Sequence, residues 1–149
     1  MKALKTIPLI LILLVSSSVF VACKKDKKTI KAVEKNIVKG NWRVSKFIDS
    51  GTDETNDFTG YNFTFTEGGS VTASNGSLSY TGTWSVTASS SDDSNDDVDF
   101  NLMFSVSEEN DFEDLNDDWD ILSQSETKIE LTDVSGGNGG TDYLTFEKN

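Results

Sequence analysis

The side chains able to do chemistry in this chain are few in kind and unbalanced in number. There is one cysteine, Cys23, and no histidine, against 25 aspartates and glutamates and 13 lysines and arginines. Without imidazole there is no Ser-His-Asp or Cys-His relay and no proton shuttle working near neutral pH. Paired carboxylates hydrolyse glycosides when one donates a proton and the other attacks or activates water, but no motif singles out a pair among the 25. Ser125 and Lys128 stand at Ser-x-x-Lys spacing without a supporting context, and no Gly-x-Ser-x-Gly elbow or phosphate-cradling glycine loop is present. Asp114, Asn116 and Asp118 alternate as calcium ligands do, yet Trp119 stands where the turn glycine is required and Ser125 where the bidentate glutamate belongs. These three are weak metal candidates. Together with Asp92–Asp97 and Glu108–Asp111 they read first as solvated acidic loops. A formal charge of -12 argues against nucleic acid, since phosphate contacts need clustered lysine and arginine. The expectation is a protein that is not an enzyme and carries no cofactor.

The cysteine is explained by the segment in front of it. Lys2 and Lys5 precede an apolar run from Ile7 to Val15, followed by three serines and Val19-Phe20-Val21-Ala22-Cys23. A basic start, a short apolar stretch and a small residue before a break mark a secretory signal peptide. The run is shorter than the roughly 20 residues a membrane span needs. A lone cysteine cannot form an internal disulfide, and an idle thiol is a liability in an exported protein. Val21-Ala22-Cys23 resembles the lipobox of bacterial lipoproteins, with Phe20 in place of the more usual leucine. The resemblance implies that the thiol is diacylated, that Cys23 becomes the N-terminus, and that palmitate-type chains anchor the protein. Residues 1–22 are then the signal, 23–36 the lipidated cysteine with a basic tether, and 37–149 the folded domain.

Charge is strongly polarised along the chain. Residues 23–46 hold nine lysines and arginines against Asp26 and Glu34, a net of +7, whereas residues 47–149 have a net of -21. The basic block is attracted to anionic headgroups, or serves as a solvated linker. Lys24 is not the aspartate that commonly retains lipoproteins in the inner membrane, so the resemblance implies the outer membrane. The basic stretch lacks the acidic cluster of surface-exported lipoproteins, which favours the periplasmic face over the cell surface. Ile30, Val33, Ile37 and Val38 have the spacing of a short helix over Thr29–Lys39, leading into or capping the domain.

From Asn41 onward the apolar positions recur at period two, the sign of half-buried strands. The inward sets are Trp42, Val44 and Ile48; Tyr61, Phe63 and Phe65; Val71 and Ala73; and Leu78, Tyr80, Gly82, Trp84, Val86 and Ala88. Val98 to Val106, Trp119 and Ile121, Ile129 and Leu131, and Leu144 and Phe146 complete the series. Glu67-Gly68-Gly69, Asn75-Gly76 and Gly136–Gly140 supply turns. A helical interruption is expected at Asp111–Asn116, where Phe112 and Leu115 lie three apart. About eight strands with short links give an all-β protein, an antiparallel up-and-down barrel with a short N-terminal helix, or a sandwich. The alternate positions are rich in Asp, Ser and Thr, so this is not a membrane-spanning barrel.

Gly40-Asn41-Trp42 is similar to the Gly-x-Trp opening of lipocalins. Tyr61–Phe65, Gly82-Thr83-Trp84, Leu115–Trp119 and Leu144–Lys148 resemble segments of the lipocalin-like domains found in lipoproteins of Bacteroidetes. The resemblance spans residues 37–149 and implies an eight-stranded barrel with one open end and affinity for a small hydrophobic ligand. It also implies that Trp42 is structural, packed at the closed end under a cation of the last strand, here Lys148 rather than arginine. Tyr61, Phe63, Phe65, Tyr80, Trp84, Phe100, Phe104 and Trp119 are then either the lining of a pocket or the core of a filled barrel. The competing reading is a structural or interaction module whose acidic exterior meets an unidentified protein or a glycan.

Overall fold

The computed structural model describes residues 19–88, 98–134 and 140–149, with the side chains of the opening helix described from residue 27 onward. The basic start, apolar run and serines of the signal, the Asp92–Asp97 run and most of the Gly136–Gly140 turn lie outside the described residues. Helix α1 (Val19–Ile37) is followed by strands β1 (Trp42–Asp49), β2 (Thr52–Asp53), β3 (Asn62–Phe65), β4 (Ser70–Ser74) and β5 (Ser79–Ala88). Then come β6 (Val98–Phe104), β7 (Asp117–Gln124), β8 (Lys128–Val134) and β9 (Thr141–Lys148). Each long strand pairs antiparallel with its neighbour in sequence, and β1 pairs with β9, so the sheet closes into an eight-stranded barrel with β2 as a short return outside the ring. The expected all-β barrel with a short helix is what the chain forms. Closure leaves no long open edge.

The alternation of apolar and polar residues puts one set of side chains inside. Trp42, Phe63, Val71, Ala73, Phe100, Ile129, Leu144 and Phe146 are completely buried. Two details depart from strict alternation. A bulge in the β1–β9 ladder between Val44 and Lys46 shifts the phase of β1, so that Phe47 is buried and Ile48 only half so. Leu78 and Ala88, expected inside, are exposed, because Asn75–Leu78 is a four-residue loop and Ala88 stands at the rim. Asn75 accepts backbone hydrogen bonds from Ser77 and Leu78, which ties that loop down.

The seam between β1 and β3 is short, with Trp42 opposite Phe63 as its paired position. A turn of 3-10 helix, Thr55–Phe58, covers the rest of the β1 edge. The Thr55 hydroxyl accepts from Phe47 N at 2.8 Å, and Glu54 N donates to Phe47 O at 3.1 Å, so both backbone groups of Phe47 are satisfied without a strand.

Helix α1 is more than a tether. Val33 and Ile37 are fully buried in the same core as the barrel, with Ile30 and Val38 packed beside them. The packed unit therefore begins N-terminal of residue 37, near Ile30. Asn36 donates to Gln124 at 3.3 Å, which fixes the helix against the end of β7. Trp42 Nε1 donates at 2.7 Å to the carbonyl of Ile37, one of the carbonyls a helix end leaves without an internal partner. Between them Gly40 takes φ +81°, a conformation that a Cβ disfavours, and a Cβ there would lie 3.0 Å from Lys148 Cε. The Lys148 ammonium stands 5.7 Å from the Trp42 ring centroid. The Gly-x-Trp motif thus has a local physical reason: turn, helix cap and cation meet at one end of the barrel.

Candidate functional site: the barrel interior and its two ends

The eight aromatic residues singled out in the sequence are brought together on the inner face, and seven of them touch another of the eight. Phe65 lies 5.8 Å from Trp84 and 6.0 Å from Phe100, and Phe63 lies 5.2 Å from Phe146 and 6.1 Å from Phe104. Trp84 and Phe100 stack at 6.0 Å, Tyr61 and Tyr80 lie 6.0 Å apart, and Trp119 meets Phe47 at 6.3 Å. Most of these contacts are edge-to-face, the arrangement the ring quadrupole favours. Tyr80 alone of the eight is only partly buried. Neighbouring rings in contact fill the barrel across its width.

Both ends are closed. At the end where β1 starts, α1 inserts Val33 and Ile37. At the opposite end the chain between β6 and β7 folds inward and buries Phe112 and Leu115. This segment is not the expected helix. Asn110 N bonds Ser107 O, Glu113 N bonds Asn110 O and Asn116 N bonds Glu113 O, a succession of separate tight turns. Phe112 is the hub of that end, 4.5 Å from Tyr80, 4.9 Å from Tyr61, 5.1 Å from Phe104, 5.3 Å from Phe58 and 5.9 Å from Phe63. Sequence reasoning left Phe112 and Phe58 out of the interior. Their signal was present, a lone aromatic in each of two otherwise acidic and polar loops.

Of the three metal candidates, Asn116 is engaged otherwise. The Asn116 side chain accepts from Phe104 N and donates to Phe104 O at 3.1 Å, extending the β6 ladder by one residue through an amide side chain. Asp118 lies opposite Asn101 on β6 and is exposed. Among the described residues no cluster of three or more Asp, Glu or Cys side chains is gathered as a metal site needs. The Ser-x-x-Lys spacing belongs to a hairpin turn: Ser125 Oγ accepts from Lys128 N at 3.0 Å, while the Lys128 ammonium pairs with Glu130 at 2.6 Å.

Hollows lie on the outer surface. One of about 610 Å³ runs over β5, β6 and β7 and is lined by Thr83, Ser85, Asn101, Met103 and Asp117. Burial pushes the Asp117 carboxyl up to about 6, with the carboxylates of Asp133 and Asp118 adding to the rise and the backbone bond from Asp118 N opposing it. Another of about 580 Å³ lies between α1 and the barrel, lined by Lys31, Glu34, Lys35, Val38, Lys39, Glu67 and Trp84. The plugged end carries acids on its rim. Burial first, then the charges of Asp49, Asp114, Asp57 and Asp111, raise the Glu54 carboxyl, and Asp114 is raised by burial and by Asp49, Glu113, Asp111 and Asp57.

These features define a class: a small antiparallel barrel with an aromatic interior, capped by a helix at one end and by an inward-folded loop at the other. The chain is similar in structure to a DUF4847 family protein from Bacteroides vulgatus ATCC 8482, with 21% sequence identity, a TM-score of 0.50, and coverage of 78% of this chain and 97% of that one. At that identity the likeness concerns the fold. No family model matches the chain, and no curated protein matches it.

Proposed function

We propose that this protein is a lipid-anchored, non-enzymatic interaction module, held at the outer membrane on the periplasmic face by acylated Cys23. The observation that carries the reading is the closure of both ends over a packed aromatic interior. A carrier of small apolar molecules needs a cavity of roughly 300 Å³ or more inside the barrel. Here Phe63, Phe65, Phe100 and Phe146 are at most 2% exposed and within ring contact, and Phe112 stops the end opposite the helix. Function then falls to the exterior, whose acidic loops suit a partner protein or glycan. The anchor is supported by the basic, apolar and small-residue sequence before Cys23. Two or three acyl chains, at about 0.8 kcal/mol per buried methylene, hold such a module stably.

The test has two arms. Mass spectrometry of the membrane-extracted protein is expected to find an acylated N-terminal Cys23, and Cys23→Ser to leave the protein unacylated. A hydrophobic fluorescent probe is expected to gain no emission from the wild-type barrel. Strong emission that a bulky Ala73→Phe substitution abolishes would restore the carrier function. An unmodified Cys23 thiol would remove the anchor.

A further inference from the structure

We infer that the outer face of α1 is a binding surface for an anionic bilayer, and that it seats the barrel with its helix-capped end toward the membrane. In the cell this rests on the anchoring proposed above, but the surface acts through charge and is testable without acylation. Helical geometry carries the argument. Lys28, Lys31 and Lys35 fall in one stripe, about 160° around the helix from the stripe of Ile30, Val33 and Ile37. The apolar stripe is packed into the barrel, and all three lysines are exposed. Packing of the helix therefore decides which way the lysine stripe faces, which is toward solvent.

Charge complementarity selects the occupant. The helix closes one end of the barrel, where Lys128 and Lys148 lie together with Glu67, Glu126, Glu130 and Glu147, so the cationic surface at this end is that of the helix itself. The opposite end carries Asp49, Glu54, Asp57, Asp111, Glu113 and Asp114, whose mutual repulsion is felt by Glu54 and Asp114. A negatively charged plane attracts the lysine face of α1 and repels the acids of the opposite end. Lys31, Lys35 and Lys39 also border the groove that has Val38 and Trp84 in its walls, where they outnumber Glu34 and Glu67. Ammonium groups beside apolar surface are the pairing an interfacial helix uses. Cys23 precedes Ile30 by seven residues on α1, about 10 Å along the axis, so an acyl anchor there keeps this face close to the headgroups.

The experiment uses the mature chain, residues 23–149, carrying Cys23→Ser. Among the described residues all those packed in the core lie at or beyond Ile30, so removal of the signal takes none of these away. Co-sedimentation with vesicles of phosphatidylglycerol and phosphatidylcholine is compared with pure phosphatidylcholine vesicles. Retention on the anionic vesicles alone is expected, falling steeply with added salt. The triple variant K28Q/K31Q/K35Q is expected to bind about 100-fold more weakly. Glutamine and lysine have similar helix propensity, and an unchanged melting temperature shows that the variant is folded. Equal retention on both vesicles, or full retention of a folded triple variant, overturns the inference. Acylation of wild-type Cys23 is read separately by mass, so a failed anchor and a failed surface are told apart.

Discussion

Single side chains do the joining in this molecule, and its three tryptophans do it in the same way. Trp42 Nε1 donates to Ile37 O, Trp84 Nε1 to Thr66 O at 3.0 Å, and Trp119 Nε1 to Leu115 O at 3.0 Å. Each acceptor belongs to a segment that closes or turns at a barrel end: the helix, the β3–β4 turn and the inward-folded loop. A buried indole needs a partner for its one donor, and here that need ties the wall to its lids. Gly82 is the counterpart, a residue whose lack of a side chain lets strands approach. It sits opposite Phe104, and a Cβ there would run into the carbonyl of Met103 and come within 2.9 Å of Phe104 Cα. Those are backbone atoms in a ladder, so they cannot swing aside. Gly82→Ala is expected to destabilise the fold by about 1–3 kcal/mol, measured by urea unfolding. Thr83→Ala next to it, on the exposed face, is expected to change stability by less than about 0.5 kcal/mol. Equal effects at the two positions would show that the close approach is relaxed in solution.

At the scale of elements, the inward-folded Ser107–Asn116 segment decides between a cup and a filled barrel. Phe112 is 2% exposed and is surrounded by five rings. Phe112→Ala is expected to cost about 3–5 kcal/mol and to open a pocket among Tyr61, Tyr80 and Phe104. A hydrophobic probe silent with the wild type is then expected to fluoresce with the variant. Leu78→Ala, at a residue 53% exposed, is the control and leaves both readouts near the wild type. A probe signal unchanged by Phe112→Ala would mean that this loop is not the stopper. The strands themselves were legible in the sequence, because period-two burial writes itself directly into residue type, as at Val98, Phe100, Leu102 and Phe104. The phase of β1 was not, since a bulge adds a residue to one strand without any marker in its composition. Nor was the loop: Phe112 and Leu115 three apart fit a helix turn, and only the long-range packing of Phe112 on Tyr80 and Tyr61 selects separate turns instead. The interior aromatics were readable as a set, but whether they enclose space depends on Phe58 and Phe112, which lie outside any strand.

For the whole molecule, the uneven placement of charge sets how stability answers to pH. Asp117 is raised to about 6 by burial and by Asp133 and Asp118, and Glu54 and Asp114 are raised by burial and by their acidic neighbours. A carboxyl whose pKa is higher in the folded than in the unfolded chain binds more protons when folded, so its contribution to stability grows as pH falls through the folded value. Asp53 and Glu130 run the other way. A hydrogen bond from Thr55 holds Asp53 low, and hydrogen bonds from Lys128 and Ser123 hold Glu130 low. Their stabilisation is present above the ordinary carboxylate range and is lost as pH falls below it. The two sets oppose each other at different pH, which places the optimum on the mildly acidic side of neutrality. The melting temperature is therefore expected to rise from pH 7.5 to about 5 and to fall below about pH 4. Asp117→Asn is expected to raise stability at pH 7.5 by about 1 kcal/mol, the shift discounted for a part-exposed site, and to flatten the rise. Added salt should stabilise the protein more at pH 7.5 than at pH 5, because repulsion within residues 47–149, of net charge -21, is what it screens. A melting temperature that only declines from pH 7.5 downward would mean that the crowded carboxylates of the acidic end and of Asp117 are not under strain. The acids of that end would then be solvated surface alone, and the case for them as the partner-facing side would rest on their position opposite α1.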